Sequence, residues 1–369
     1  MKLKKILIYG NFRKLNFCFL IQLFAIIVSS YGQEQKIPSL ILGDSAPALR
    51  VSEWLKGKPI EKFEKGKIYV IEFWATWCSP CRAAMPRLSK LSRKYKHKAA
   101  FIGVDVYENQ IPVAYRKNIN QIKDFVDSMG RRMNYAVAIE DSIFMETDWL
   151  IASDEQGIPV TFVVNGDGRV AWFGHPMYLH ETLPKILNKS WDINEELAKR
   201  SSDKHLEELG DSLSHQLTPY SEDPKIYRDF GQPDSVLLVI NEWIKKEPKL
   251  KYNFNVVNNT FSSLLKTDQH KAYEYGKEIL TTPTYDYSTV HQIIYLIESW
   301  SYKITLHSEI YELGAEAYQV EIDHFPYPEI ANTPRLYDKM AEWYWHANNK
   351  SKAINANRKA IKAMKKYSR

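Results

Sequence analysis

Apolar positions run almost without a break through KIYVIEFW (67–74), where Glu72 is the only interior polar residue. A β-branched and aromatic run of this kind predicts a strand buried on both faces. AAFIGVDV (99–106) has the same texture. Between them, SPCRAAMPRLSKLSRKYKHK (79–98) places Met85, Leu88 and Leu91 on one face of a predicted helix. INQIKDFVDSMG (119–130) predicts a helix closed by Gly130. YAVAIED (135–141) predicts a strand and METDWLIAS (145–153) a short helix. PVTFVV (159–164) and RVAWFG (169–174) flank the turn cluster NGDG, which predicts a hairpin, and LHETLPKILNKS (179–190) predicts a closing helix. Strands alternating with helices imply an α/β unit, a central sheet flanked by helices.

Beyond about Trp191 the pattern changes. Only four of the fifteen glycines lie after residue 190, and helical periodicity dominates. In SVLLVINEWIKK (235–246), Val236, Val239, Ile240, Trp243 and Ile244 form one stripe. Near the C-terminus, Tyr337, Met340, Ala341, Tyr344, Ala353 and Ala360 fall at offsets resembling the tetratricopeptide pattern, with Asn357 where an aromatic is usual. HKAYEYGKEIL (270–280) is at best a degenerate second helix, and no clear earlier copy at a 34-residue period is visible. The expectation is an all-α helical-hairpin domain over 191–369, following an α/β domain over 37–190. It would serve as a groove for a protein client or as a stabilising appendage.

Composition changes this picture little: 369 residues suit about two domains, and 44% hydrophobic with 25% charged residues is ordinary for a folded chain. The charge distribution says more. Residues 1–32 carry five basic and no acidic residues, most of the formal +6, so no nucleic-acid face is implied. That leader continues into an apolar run, Leu15–Val28, and a small-residue stretch with a cut expected after Gly32. The run is shorter than the roughly 20 residues of a membrane span. A signal peptide is therefore expected, an uncleaved anchor being the alternative. Cys18 falls inside this leader.

Two cysteines remain, Cys78 and Cys81, in an exported and oxidising setting. As a staple, one C-x-x-C pair closes too small a loop to stabilise much. A zinc site wants four ligands, and no second pair is present; Arg82 rather than histidine after Cys81 removes covalent haem attachment. No metal or cofactor is expected. Redox chemistry fits the position. Pro80 suits a first helical turn, so Cys78 lies at a helix N-terminus, where unpaired N–H groups stabilise a thiolate. Cys81, one turn inward, keeps its proton and waits to resolve a mixed disulfide.

YVIEFWATWCSPCRAAMP resembles the active-site strand and helix of the thioredoxin superfamily, in particular its exported TlpA-like branch related to the AhpC/thiol-specific antioxidant group. The likeness extends through GDSAP (43–47), the Gly66-Lys67 pair and GIPVTFVVNGDGRVAWFGHP (157–176), about residues 37–190. It implies a thioredoxin-like fold with Cys78 as attacking thiol, Cys81 as resolving thiol and Pro159 as the cis-proline facing them. Ile158 then offers its backbone to an extended substrate strand. Pro86 matches the helix-kinking proline and Trp77 the indole flanking the disulfide. Glu72 matches the buried acid beneath the pair, usually aspartate, which takes the proton from Cys81; the other reading of Glu72 is an exposed or ion-paired strand residue. Some members carry instead an acid at the position of Ala84. His175 reads as a turn residue rather than a catalytic one.

The function implied is an exported, periplasmic-type thiol–disulfide oxidoreductase acting on protein thiols and disulfides. The Ser-Pro dipeptide and Ile158 lie nearer to reducing members than to strong oxidants, and a reductant there needs a membrane-bound electron donor. Two alternatives are a thiol peroxidase and a client-binding protein. The first is disfavoured because Thr76 lies two, not three, residues before Cys78 and the proline that opens a peroxidatic loop is absent.

Overall fold

The computed structural model describes residues 39–108, 118–155, 157–220, 231–282, 287–324 and 333–367. The leader, with Cys18 and the expected cut, lies outside the described residues. Six strands form one mixed sheet: β1 (Val51–Lys56), β2 (Ile68–Trp74), β3 (Ala99–Asp105), β4 (Ala136–Glu140), β5 (Val160–Val164) and β6 (Val170–Gly174), in the order β1-β4-β3-β2-β5-β6. β2 is central, parallel to β3 and antiparallel to β5. Its burial on both faces is what the uninterrupted apolar run required.

Because side chains alternate along a strand, β2 feeds two cores. Tyr69, Ile71 and Phe73 pack with Met145, Trp149 and Phe162 on one face. Val70 and Trp74 pack on the other with α1 (Ser79–Tyr95), α2 (Ile119–Met129) and α3 (Leu179–Leu187). Met85, Leu88 and Leu91 of α1 are all buried there, as their spacing predicts. α2 is closed by Gly130 at φ 51°, as expected. The METDWLIAS segment becomes a single π-helical turn, Glu146–Ile151, that turns Trp149 and Leu150 into the core. β1 has no counterpart in the sequence reading. It is a half-exposed edge strand whose irregular register against β4 blurs the two-residue alternation.

The remaining described chain is helical: α4 (Ile193–Leu217), α5 (Pro233–Lys246), α6 (Phe254–Thr267), α7 (Gln269–Thr281), α8 (Tyr287–Ser301), α9 (Ser308–His324), α10 (Thr333–His346) and α11 (Lys350–Tyr367). In α5 the predicted stripe faces inward, with Val236 and Ile240 fully buried. α6 to α11 pair into three hairpins, two more than the tetratricopeptide-like pattern made visible. Ion pairs tie the second helix of each hairpin to that of the next: Lys277 Nζ to Glu316 at 2.7 Å, and Lys352 Nζ to Glu312 at 2.7 Å. The second helices begin at Gln269, Ser308 and Lys350, intervals longer than the 34 residues of the tetratricopeptide unit and unequal, so a fixed-period search misses them. Gly314 shows why small residues recur at these crossings. A Cβ there would come within 1.9 Å of the Trp343 ring.

The helical region is joined directly to the sheet. Trp191 Nε1 donates to the Ala171 carbonyl at 2.9 Å. Arg200 in α4 donates to the Phe173 carbonyl and lies 4.3 Å above that residue's ring. Ile193 and Leu197 pack against the sheet core, and Met177, beyond β6, packs into the helical core.

Candidate active site

Cys78 and Cys81 are joined as a disulfide, S–S 2.03 Å, at the junction of β2 and α1. The apolar strand delivers the chain to this point, and the Ala75–Trp77 turn redirects it. Cys78 is the N-cap of α1, with extended backbone and Pro80 in the first turn. Its Sγ accepts a hydrogen bond from the Cys81 backbone N–H at 3.2 Å. A sulfur held by a helix N-terminal N–H is one whose ionised form is stabilised on reduction. α1 also carries Pro86, and no acidic side chain in its first turn opposes that charge.

Both cysteines are buried, Cys78 3% exposed and Cys81 0%. Cys78 Sγ lies 3.7 Å from the Ile158 carbonyl oxygen, and the Ile158–Pro159 peptide bond is cis. Ile158 therefore stands against Cys78, with cis-Pro159 next to it in the chain. Trp77, 43% exposed, stands beside the pair at the surface with Ser79, Pro80 and Arg82. Thr76 is buried rather than presented, and its backbone N–H donates to Glu108 Oε1 at 2.6 Å, tethering the active-site turn to the end of β3.

Glu72 is 1% exposed. It shares the face of β2 that carries Val70 and Trp74, the face covered by α1 and both cysteines. Its neighbours across the sheet are Gly103 on β3 and the buried Thr161 on β5. Oε2 accepts a hydrogen bond from the Tyr135 hydroxyl at 2.7 Å, and Oε1 accepts none among the described residues. Burial pushes the Glu72 carboxyl up to about 8, the Tyr135 hydrogen bond opposing part of that rise. Near neutral pH the acid is mostly protonated in the oxidised protein.

Three neighbours escaped the sequence reading. Tyr135 reads as a strand-start aromatic, Thr161 as one more strand residue, and Gly103 as a break in an apolar run. Gly103 carried the available signal, because a glycine inside a strand marks a close approach. A Cβ there would lie 3.0 Å from both Trp74 Nε1 and Tyr135 Cε2. His175 caps the short turn Pro176–Tyr178 through its Nδ1, which accepts from the Met177 N–H at 3.3 Å, and burial holds it down to about 4. It is a local structural histidine. Ala84, where some members carry an acid, is buried in α1.

Comparisons with known proteins agree with this geometry. A thioredoxin family model matches residues 58–127, which include both cysteines and Glu72. The chain is 33% identical over 166 residues to protein FixW of Rhizobium leguminosarum, covering 44% of this chain and 74% of that one. It is 32% identical over 150 residues to thiol-disulfide oxidoreductase ResA of Bacillus cereus (strain ATCC 10987 / NRS 248), covering 40% and 75%. It is 29% identical over 136 residues to thiol:disulfide interchange protein HelX of Rhodobacter capsulatus, covering 36% and 68%. A helix-capping Cys-Ser-Pro-Cys pair beside a cis-proline, in a chain so related, belongs to the thioredoxin-like thiol–disulfide oxidoreductases, here followed by a largely helical region.

Proposed function

We propose that this enzyme works outside the cytoplasm as a reductant of protein disulfides. Cys78 makes the attack, Cys81 resolves, and Glu72 exchanges the resolving proton. The observation that carries the roles is the asymmetry of the pair: one sulfur at the helix N-terminus beside Ile158 and cis-Pro159, the other fully enclosed on the face that also holds a buried acid.

In the reduced enzyme the Cys78 thiolate attacks one sulfur of a client disulfide. A Cys78–client bond forms, the client S–S bond breaks, and the departing client thiolate takes a proton from solvent. The Ile158 backbone, beside a proline that has no N–H, pairs with the extended client. The Cys81 thiol then gives its proton to the Glu72 carboxylate and attacks Cys78. The Cys78–Cys81 bond forms, the mixed disulfide breaks, and the second client sulfur leaves as a thiolate that is protonated. Two electrons have passed to the client. Recharging runs in reverse: a dithiol donor at the membrane attacks Cys78, and protonated Glu72 returns its proton to the leaving Cys81. Export rests on the basic-then-apolar leader. Residues 37–190 would hold the chemistry, and the helical region 191–369 would seat the client.

The test is Cys81→Ala expressed in the native compartment. Clients should remain covalently attached to Cys78, appear as high-mass bands on non-reducing gels and be released by dithiothreitol. Absence of any adduct that depends on Cys78 would overturn the proposal.

A further inference from the structure

The buried carboxyl beneath the pair is not alone, and its companion has a specific place in the fold. Tyr135 immediately precedes β4, two strands away from β2 in the sheet, with β3 between them. Its ring crosses β3 at the one position where that strand has no side chain. Gly103 pairs in register with Glu72, and a Cβ there would crowd the Tyr135 and Trp74 rings at 3.0 Å. The hydroxyl ends 2.7 Å from Glu72 Oε2, and Tyr135 is itself 7% exposed. A glycine gap, a buried aromatic spanning it and a hydrogen bond at its tip form a built arrangement.

We propose that Tyr135 is the positioning residue of this active site: its hydroxyl fixes one oxygen of the Glu72 carboxyl and leaves the other, Oε1, to exchange the proton of Cys81. This rests on the role proposed above for Glu72. Tyr135 suits the task because it stays a donor. Burial and the neighbouring carboxyl push its phenol well above the ordinary range, so it does not ionise at working pH. A hydrogen bond donated to a carboxylate favours the ionised form, so Tyr135 also lowers the pH at which Glu72 becomes a base. The other buried titratable groups on this side of the sheet, among the described residues, are the two cysteines on α1 and its N-cap, and Asp105 on the same face of β3; on α1 Arg82, Lys90, Arg93 and Lys94 are exposed and Arg87 is half-buried. Among the described residues, burial and Tyr135 are what act on the carboxyl.

The experiment uses the full reduced protein and dithiodipyridine, an aromatic disulfide whose two released thiopyridones report two steps. The first release is attack by Cys78; the second is resolution by Cys81. In Tyr135→Phe the apparent pKa of the second phase should rise by about 1 unit, slowing that phase about tenfold below it, while the first phase keeps its rate and pH profile. Glu72→Gln should erase the pH-dependent limb. If Glu72→Gln erases it and Tyr135→Phe leaves it in place, the Tyr135 role is refuted and the Glu72 role stands. If Glu72→Gln leaves the profile intact, both are refuted. Should Tyr135→Phe fail to fold, fluorotyrosine at position 135, a stronger donor of nearly the same shape, supplies the readout. It should move the limb to lower pH, a shift that a purely structural tyrosine would not produce, and an unmoved limb overturns the proposal.

Discussion

Replacing Glu72 by glutamine should change how stability depends on pH more than it changes stability at any single pH. The folded carboxyl titrates at about 8 against 4.5 for the unfolded chain, and the side chain is wholly enclosed. Below pH 4.5 both states are protonated and the carboxyl's titration costs the fold nothing. As the pH rises past that point, the unfolded chain ionises first and is favoured, so the folded state loses stability until its own carboxyl ionises near 8. Each pH unit in this window is worth about 1.4 kcal/mol, giving a loss of about 3 kcal/mol at pH 7 and about 5 kcal/mol above pH 8. Glutamine does not titrate and keeps an oxygen for Tyr135, but its buried amide N–H groups add a constant cost of roughly 1–3 kcal/mol. The assay is guanidinium unfolding of both oxidised proteins from pH 4.5 to 9, fitted with the same transitions. The variant should gain on the native protein steadily up to about pH 8 and then level off. Parallel curves, differing by a constant, would mean that Glu72 ionises like an ordinary surface acid and would refute the reasoning.

On the role proposed for Glu72, opening of the Cys78–Cys81 disulfide by a fixed concentration of thiolate should slow above pH 8, where the carboxyl has lost its proton, and stopped-flow rates for Glu72→Gln should lack that fall. Trp77→Ala, at a half-exposed side chain beside the pair, should raise KM for a protein disulfide several-fold and change unfolding free energy by less than about 0.5 kcal/mol. Gly314→Ala should destabilise the helical hairpins by roughly 1–3 kcal/mol, because the Trp343 ring must move, and leave the dithiodipyridine reaction unchanged; a thermal melt and the two-phase assay check both halves.

Much of the α/β unit was legible because its strands are buried on both faces and its helices carry clear stripes. Tyr69 through Trp74 could hardly be anything else, and the cysteines declare themselves by sitting where strand becomes helix. What stayed hidden has physical reasons. β1 is a half-exposed edge strand with a broken register, so its alternation is lost. The stacking of three hairpins depends on contacts such as Lys277–Glu316, between residues too unevenly spaced to register as a repeat. Tyr135 meets Glu72 only through the sheet order β4-β3-β2, which no local pattern encodes. Gly103 was the visible trace of that meeting.

The central claim is that Cys78 and Cys81 differ in ionisation because one caps a helix and the other is enclosed, and alkylation of the reduced protein by iodoacetamide as a function of pH measures this directly. With each site followed by mass spectrometry, Cys78 should react with an apparent pKa well below the roughly 8.5 of an ordinary thiol, and Cys81 should stay unmodified in the same range. Equal reactivity of the two, each ionising as an ordinary thiol, would contradict the account.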